Sequence, residues 1–97
     1  MTLSEKEQLI LMILIASEQP LGGLEIAKSS GNILKRGLIY LTLSQMEKKR
    51  LIKSEFGRRQ SDPNLLQQRR YHVTRLGERA YNTTWSQRSL FNVLRPA

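Results

Sequence analysis

The apolar pattern of the sequence changes its period near residue 50, and this change limits what the chain can fold into. Before it, apolar residues recur with helical spacing, as in the stripe formed by Ile39, Leu43 and Met46. After it, Ile52 and Phe56 alternate with polar residues, which predicts a β-strand. The chain should therefore form helices first and a pair of strands later.

Three helices are predicted before the change of period. The first follows a Ser-x-x-Glu capping box at Ser4, continues to about residue 18, and is apolar around most of its circumference. The second covers residues 24–29, and Gly31 can supply its left-handed cap. The third begins at about Leu34 or Lys35 and ends near Lys49.

After the third helix, the sequence predicts a hairpin and a last helix. Residues 51–56 and 69–73 are the two strands, joined by a basic loop with a strong turn signal, and a helix continues after Thr74 to about Tyr81. Residues 82–97 are predicted as a short helical tail behind a domain of residues 1–81. The predicted class is α+β, mostly α, with three helices, a two-stranded wing and a C-terminal helix. This is the winged helix-turn-helix arrangement.

Positive charge is concentrated in the middle of the chain. Residues 35–70 carry ten Lys and Arg against three acidic side chains, so this segment holds +7 of a total formal charge of +8. Such clustering suits a polyanion, either nucleic acid or an anionic membrane surface. No apolar run reaches the ~18 residues of a membrane span, and no export signal is evident, so we expect a cytoplasmic protein without a membrane segment.

The residue types exclude several kinds of chemistry. With no cysteine and a single histidine, His72, the chain lacks the ligands of a zinc site. Gly22 and Gly23 are not followed by the Gly-Lys-Ser/Thr of a phosphate-binding loop. We therefore expect no enzyme, no metal and no cofactor.

In this arrangement the third helix enters the major groove of DNA, and the wing lies along the backbone or minor groove. Gln45 suits an adenine edge, and Leu41 can meet a thymine methyl group. For Tyr40, packing on the first helix and a phosphate contact both remain open. The predicted DNA-binding residues are Lys35, Arg36, Tyr40, Leu41, Ser44, Gln45, Lys48, Arg58, Arg59, Arg69 and Arg70.

Three segments resemble motifs of the PadR-like transcriptional regulators. Residues 20–26 (PLGGLEI) are similar to the family's P-L-x-G-Y-E-I opening, and residues 37–52 to its G-T-L-Y-P recognition-helix signature. Residues 70–77 resemble its second-strand motif. The sequence departs from the pattern at three positions: Leu24 replaces an aromatic residue, Leu41 stands where proline is common, and Arg50 replaces glycine.

The resemblance implies a winged helix, a homodimer joined largely through C-terminal helices, and usually repression of a nearby promoter. Apolar residues beyond the predicted core also favour a partner surface. The predicted dimer contacts are Leu9, Met12, Trp85, Leu90, Phe91 and Leu94. Because the tail is short, we expect no small-molecule effector.

Two other functions stay open from the residues. A winged-helix protein–protein module, for example an antagonist of another regulator, would use the basic face to bind an acidic partner. A weaker alternative is nucleic-acid or RNA binding without sequence preference. The first predicts no DNA complex at low salt, and the second predicts no preferred site.

Overall fold

A computed structural model describes residues 2–56 and 69–94, the last nine of them by their backbone alone. The wing loop between the strands, with Arg58 and Arg59, lies outside these residues. The described chain confirms the mostly helical winged-helix arrangement. Its elements are α1 (Glu5–Ala16), β1 (Leu21–Gly22), α2 (Gly23–Ser29), α3 (Arg36–Lys48), β2 (Ile52–Phe56), β3 (Arg69–Val73) and α4 (Arg75–Leu94).

Helix α1 begins at the predicted capping box. The Ser4 backbone N–H donates to Glu7 Oε1 at 3.0 Å, and the Glu7 N–H donates to Ser4 Oγ at 3.2 Å. The helix is central because its apolar side chains are buried on more than one side. With α2, α3 and the sheet it encloses one core, whose fully buried large side chains are Ile10, Leu11, Ile26, Ile39, Leu43, Met46, Leu51 and Ile52.

The sheet has three antiparallel strands in the order β1–β3–β2. Tyr71 of the central strand is paired with Leu21 on one side and Ser54 on the other, and its side chain is buried. The sequence predicts β2 and β3 but not β1. A two-residue strand is too short to show an alternating pattern, and it forms because β3 presents a free edge to it.

Helix α3 ends in a Schellman motif. The Arg50 N–H donates to the Glu47 carbonyl and the Leu51 N–H to the Met46 carbonyl, both at 3.0 Å. Arg50 takes the left-handed position with φ of 63°. Leu51 then turns into the core beside Met46, so the chain leaves the helix directly towards β2.

Helix α4 is continuous for 20 residues, roughly 30 Å. The predicted end of this helix near Tyr81 is wrong, because α4 continues to Leu94. The boundary between a domain of residues 1–81 and a tail of residues 82–97 stays a prediction. The polar Asn-Thr-Thr segment lies inside the helix, where the Thr84 hydroxyl donates to the Ala80 carbonyl at 2.8 Å. Tyr81 and Trp85, one turn apart, pack edge to face with ring centroids 6.0 Å apart.

Candidate nucleic-acid interface

Helix α3 buries one side and presents the other to solvent. Ile39, Leu43 and Met46 lie in the core, as their spacing predicts. On the opposite side is a set that we call the outward face of α3: Gly37, Leu41, Ser44, Gln45 and Lys48, all exposed. Lys35, Arg36 and Tyr40, at its edge and N-terminal end, are exposed too. All seven predicted DNA-binding residues of this segment are thus open to a partner.

The C-terminal end of α3 is fixed by contacts to three other elements. Lys49 Nζ lies 2.9 Å from Glu7 Oε2 of α1. The Ser54 hydroxyl of β2 donates to the Glu47 carboxylate. The Thr74 hydroxyl, before α4, donates to the Arg50 carbonyl at 2.7 Å. The outward face is therefore presented by a helix with a fixed orientation.

Glu7 links the start of α1 to the end of α3. Burial alone would raise the pKa of its carboxyl group, but the hydrogen bonds from Lys49 and Ser4 and the charge of Lys49 outweigh this effect. The pKa of Glu7 is therefore lowered from its ordinary value of 4.5. Glu7 is thus held as a carboxylate on Lys49.

The N-terminal end of α3 is basic and lacks a side-chain cap. Its N-cap residue is Lys35, and its first turn has no acidic residue. Lys28, at the end of α2, lines the same open cavity of about 500 Å³ as Lys35 and Arg36. We call these three residues the basic end of α3. Lys28 was missed in the sequence, where the only signal is a lysine in the last turn of α2, far from the main cluster of charge.

Tyr40 lies at the edge of the outward face and packs on α2. Its ring lies over the backbone at Gly23, where a β-carbon would be 2.7 Å from Tyr40 Cε1. Only a glycine leaves room for the ring at this position. Packing on the first helix and a phosphate contact both stay predictions. Half of the Tyr40 side chain stays exposed, which keeps its hydroxyl available to a partner.

The two strands place their arginines at different depths. Arg69 is exposed, and its guanidinium lies over the Phe56 ring, 5.1 Å from the centroid. Arg70 is half-buried between its strand partners Gly22 and Glu55. Of these two arginines, Arg69 is the better presented for a phosphate.

The residues predicted for a dimer contact divide into three groups. Met12 and Trp85 each keep 44% of their surface exposed, whereas Leu9 is half-buried against the core. Ile15, one turn after Met12, is also 40% exposed and was missed. Leu90, Phe91 and Leu94 belong to α4, where the structure describes only their backbone.

The described residues contain no group of three or more acidic or histidine side chains that could hold a metal ion. None of the helices in that part of the chain is long and apolar enough to cross a bilayer. His72 lies in β3 with Nδ1 3.7 Å from Glu55 Oε1, which fits a structural position on the sheet.

Neither a protein-family model nor a curated protein matches the sequence. Solved structures do. A PadR family transcription regulator from Clostridium difficile R20291 superposes with a TM-score of 0.74 at 29% identity, over 92% of this chain and 96% of that one. A PadR-like transcription factor from Bacteroides fragilis superposes with a TM-score of 0.72 at 20% identity, over 90% of this chain and 82% of that one. The chain therefore has a winged-helix fold similar to that of the PadR family transcription regulators.

This structural likeness confirms the PadR-like resemblance carried by the three sequence motifs. The first is named as a transcription regulator and the second as a transcription factor. The PcaV regulator from Streptomyces coelicolor, solved with its natural ligand, shares the fold at 17% identity and a TM-score of 0.67, over 96% of this chain and 64% of that one. The family's usual glycine before Leu-Ile is also explained, because Arg50 occupies a left-handed position at that point.

Proposed function

We propose that this PadR-like chain is a sequence-specific regulator that binds double-stranded DNA as a homodimer and represses a nearby promoter. Helix α3 lies in the major groove, and the wing contacts the backbone or minor groove. The observation that carries the proposal is the exposed outward face of α3. The helix that presents it is basic and without a side-chain cap at its N-terminal end, and its C-terminal end is fixed by contacts to other elements. Its relatives are bacterial regulators, so we place the protein in the cytoplasm.

The groove contacts follow from the geometry of α3. Exposed polar side chains of a recognition helix contact base edges, while flanking cations contact phosphates. Gln45 and Ser44 can donate and accept hydrogen bonds at base edges. Lys28, Lys35 and Arg36 would bind phosphates at the basic end, and Arg69 would do so at the wing.

DNA binding is tested by fluorescence anisotropy at physiological salt. Wild-type protein is titrated with a labelled duplex from upstream of its own gene and with a scrambled duplex. We expect a preference of about a thousandfold or more for the upstream duplex, the ordinary range of specific over non-specific binding. Equal affinity for both duplexes would overturn sequence specificity.

A charge-reversal pair assigns the binding to α3. Ser44→Glu with Gln45→Glu places two carboxylates on the outward face and should abolish the preference for the upstream duplex. Asn82→Glu with Thr83→Glu adds the same charge at two exposed positions of α4 and should leave binding intact. An equal loss of this preference in both double variants would mean that binding depends only on the net charge of the protein.

The dimer is the second part of the proposal. The exposed Met12 and Ile15 on α1 and Trp85 on α4 are large apolar side chains on two helices that pack together. Met12→Lys with Trp85→Lys should convert a dimer to a monomer in light scattering at micromolar concentration. Leu76→Lys, an equally exposed apolar position outside the predicted contact, should leave the dimer intact. A wild-type monomer would contradict this part. The expected absence of a small-molecule effector stays a prediction.

The protein–protein alternative has one observation in its favour. Ile33, Leu38 and Leu41 are exposed apolar side chains close to the basic end of α3. A partner protein with acidic and apolar groups would match them. This alternative predicts no DNA complex even at low salt, so the same titration separates the two functions.

A further inference from the structure

Gly37 is a glycine that the described part of the chain does not itself require. A β-carbon added there would have no described heavy atom within 4 Å. The other three glycines described in this way have internal reasons. A β-carbon at Gly23 or Gly77 would lie too close to neighbouring atoms, and Gly31 has a φ of +65°. Alanine would fit Gly37 and would favour the helix, because glycine is among the weakest helix formers.

The position of Gly37 suggests a reason outside the chain. It is the second residue of α3, in the first turn of the outward face, and Leu41 follows one turn later on the same side. Leu41 leaves 58% of its surface exposed, although its chemistry favours burial. The first turn therefore presents bare backbone beside a large apolar side chain.

We infer that Gly37 lets the first turn of α3 approach the floor of the major groove closely enough for Leu41 to pack on a thymine methyl group. This inference rests on the proposed function and adds to it a positioning residue and one base that is read. The thymine methyl is the apolar group on the major-groove edges, so it is the chemical match for a leucine. Any side chain at residue 37 would hold the helix away from it.

The test uses the full chain and a duplex selected from a random DNA library by the wild-type protein. Each thymine of that duplex is replaced in turn by deoxyuridine, which removes only the methyl group. Affinities are measured by anisotropy at one salt concentration for wild type, Gly37→Ala and Leu41→Ala. Thr42→Ala is the matched control, because it also raises helix propensity in α3 but lies outside the outward face.

We expect Gly37→Ala to raise the Tm by about 2–5 °C. It should also weaken binding to the selected duplex by about tenfold or more. Its affinity for an unrelated duplex should stay unchanged, and Thr42→Ala should raise the Tm without loss of binding. Deoxyuridine at one position should lower the affinity of the wild type about fourfold, the equivalent of one buried methyl group. The same position should cost nothing in Leu41→Ala or Gly37→Ala.

Two results would overturn the inference and leave the proposed function standing. One is a Gly37→Ala protein that binds the selected duplex as tightly as wild type. The other is a set of deoxyuridine effects that Leu41→Ala does not change. If the library yields no preferred duplex at all, the proposed function fails and this inference fails with it.

Discussion

Arg50 shows how one residue can carry a conformational cost. It occupies the left-handed position of the Schellman motif that ends α3, with φ of 63°, and a side chain with a β-carbon is strained there. Other contacts offset this strain, because the turn directs Leu51 into the core and places the Arg50 carbonyl where it accepts a hydrogen bond from the Thr74 hydroxyl.

The first prediction follows from that strain. Arg50→Gly should raise the free energy of unfolding by about 1 kcal/mol, because glycine takes a positive φ without steric cost. Urea denaturation at neutral pH checks it, with Arg50→Ala as the control, which removes the same side chain but keeps the β-carbon. An equal gain in both variants would assign the effect to charge and not to backbone conformation.

Glu7 makes stability depend on pH. Because its pKa is lower in the folded protein than its ordinary value of 4.5, the ionised form stabilises the fold at neutral pH. This contribution is fully present above the unfolded value and disappears as the pH falls through the lower folded value.

A substitution at Glu7 tests this linkage. Glu7→Gln should lower the free energy of unfolding by about 1–2 kcal/mol at pH 7, through the loss of charged hydrogen bonds to Lys49 and Ser4. The difference from wild type should shrink as the pH falls below 4.5. Glu5→Gln, at an exposed position of the same helix turn, is the control. A difference that stays constant down to pH 2 would contradict the linkage.

At the level of elements, the junction between α3 and α4 depends on one close contact. A β-carbon at Gly77 would lie 2.1 Å from the Leu51 carbonyl oxygen, and the backbone cannot give way as a flexible side chain could. Gly77→Ala should therefore lower the free energy of unfolding by about 1–3 kcal/mol, the usual cost of overpacking. Gly37→Ala makes the same change at an open position of α3, should gain stability, and serves as the control. A Gly77→Ala protein as stable as wild type would contradict the contact.

The sequence predicts the elements that have a strong local signal. The capping box at Ser4, the apolar stripe of α3 and the alternation in β2 each carry their own pattern, and the structure has all three. Strand β1 and the full length of α4 escaped prediction because they depend on a partner strand and on contacts within the helix. Lys28 escaped because only folding brings it next to Lys35 and Arg36.

For the whole molecule, the distribution of charge predicts how DNA binding responds to salt. Each phosphate neutralised contributes a slope of about 0.9 to the fall of log affinity with log salt. Lys28→Ala should therefore reduce the slope by about 0.9 while preserving the preference for the selected duplex. Arg79→Ala removes an exposed cation from α4 and should leave the slope unchanged. A slope that Lys28→Ala does not alter would remove Lys28 from the interface.

The most direct test of the account is to locate the DNA on the protein surface. ¹⁵N chemical shifts of the protein are followed during titration with the selected duplex. We predict that the largest shifts map to the outward face and basic end of α3 and to Arg69, with α2 changing only near Lys28. Large shifts confined to Met12, Ile15 and the exposed side of α4, with α3 unchanged, would contradict the placement of α3 in the major groove.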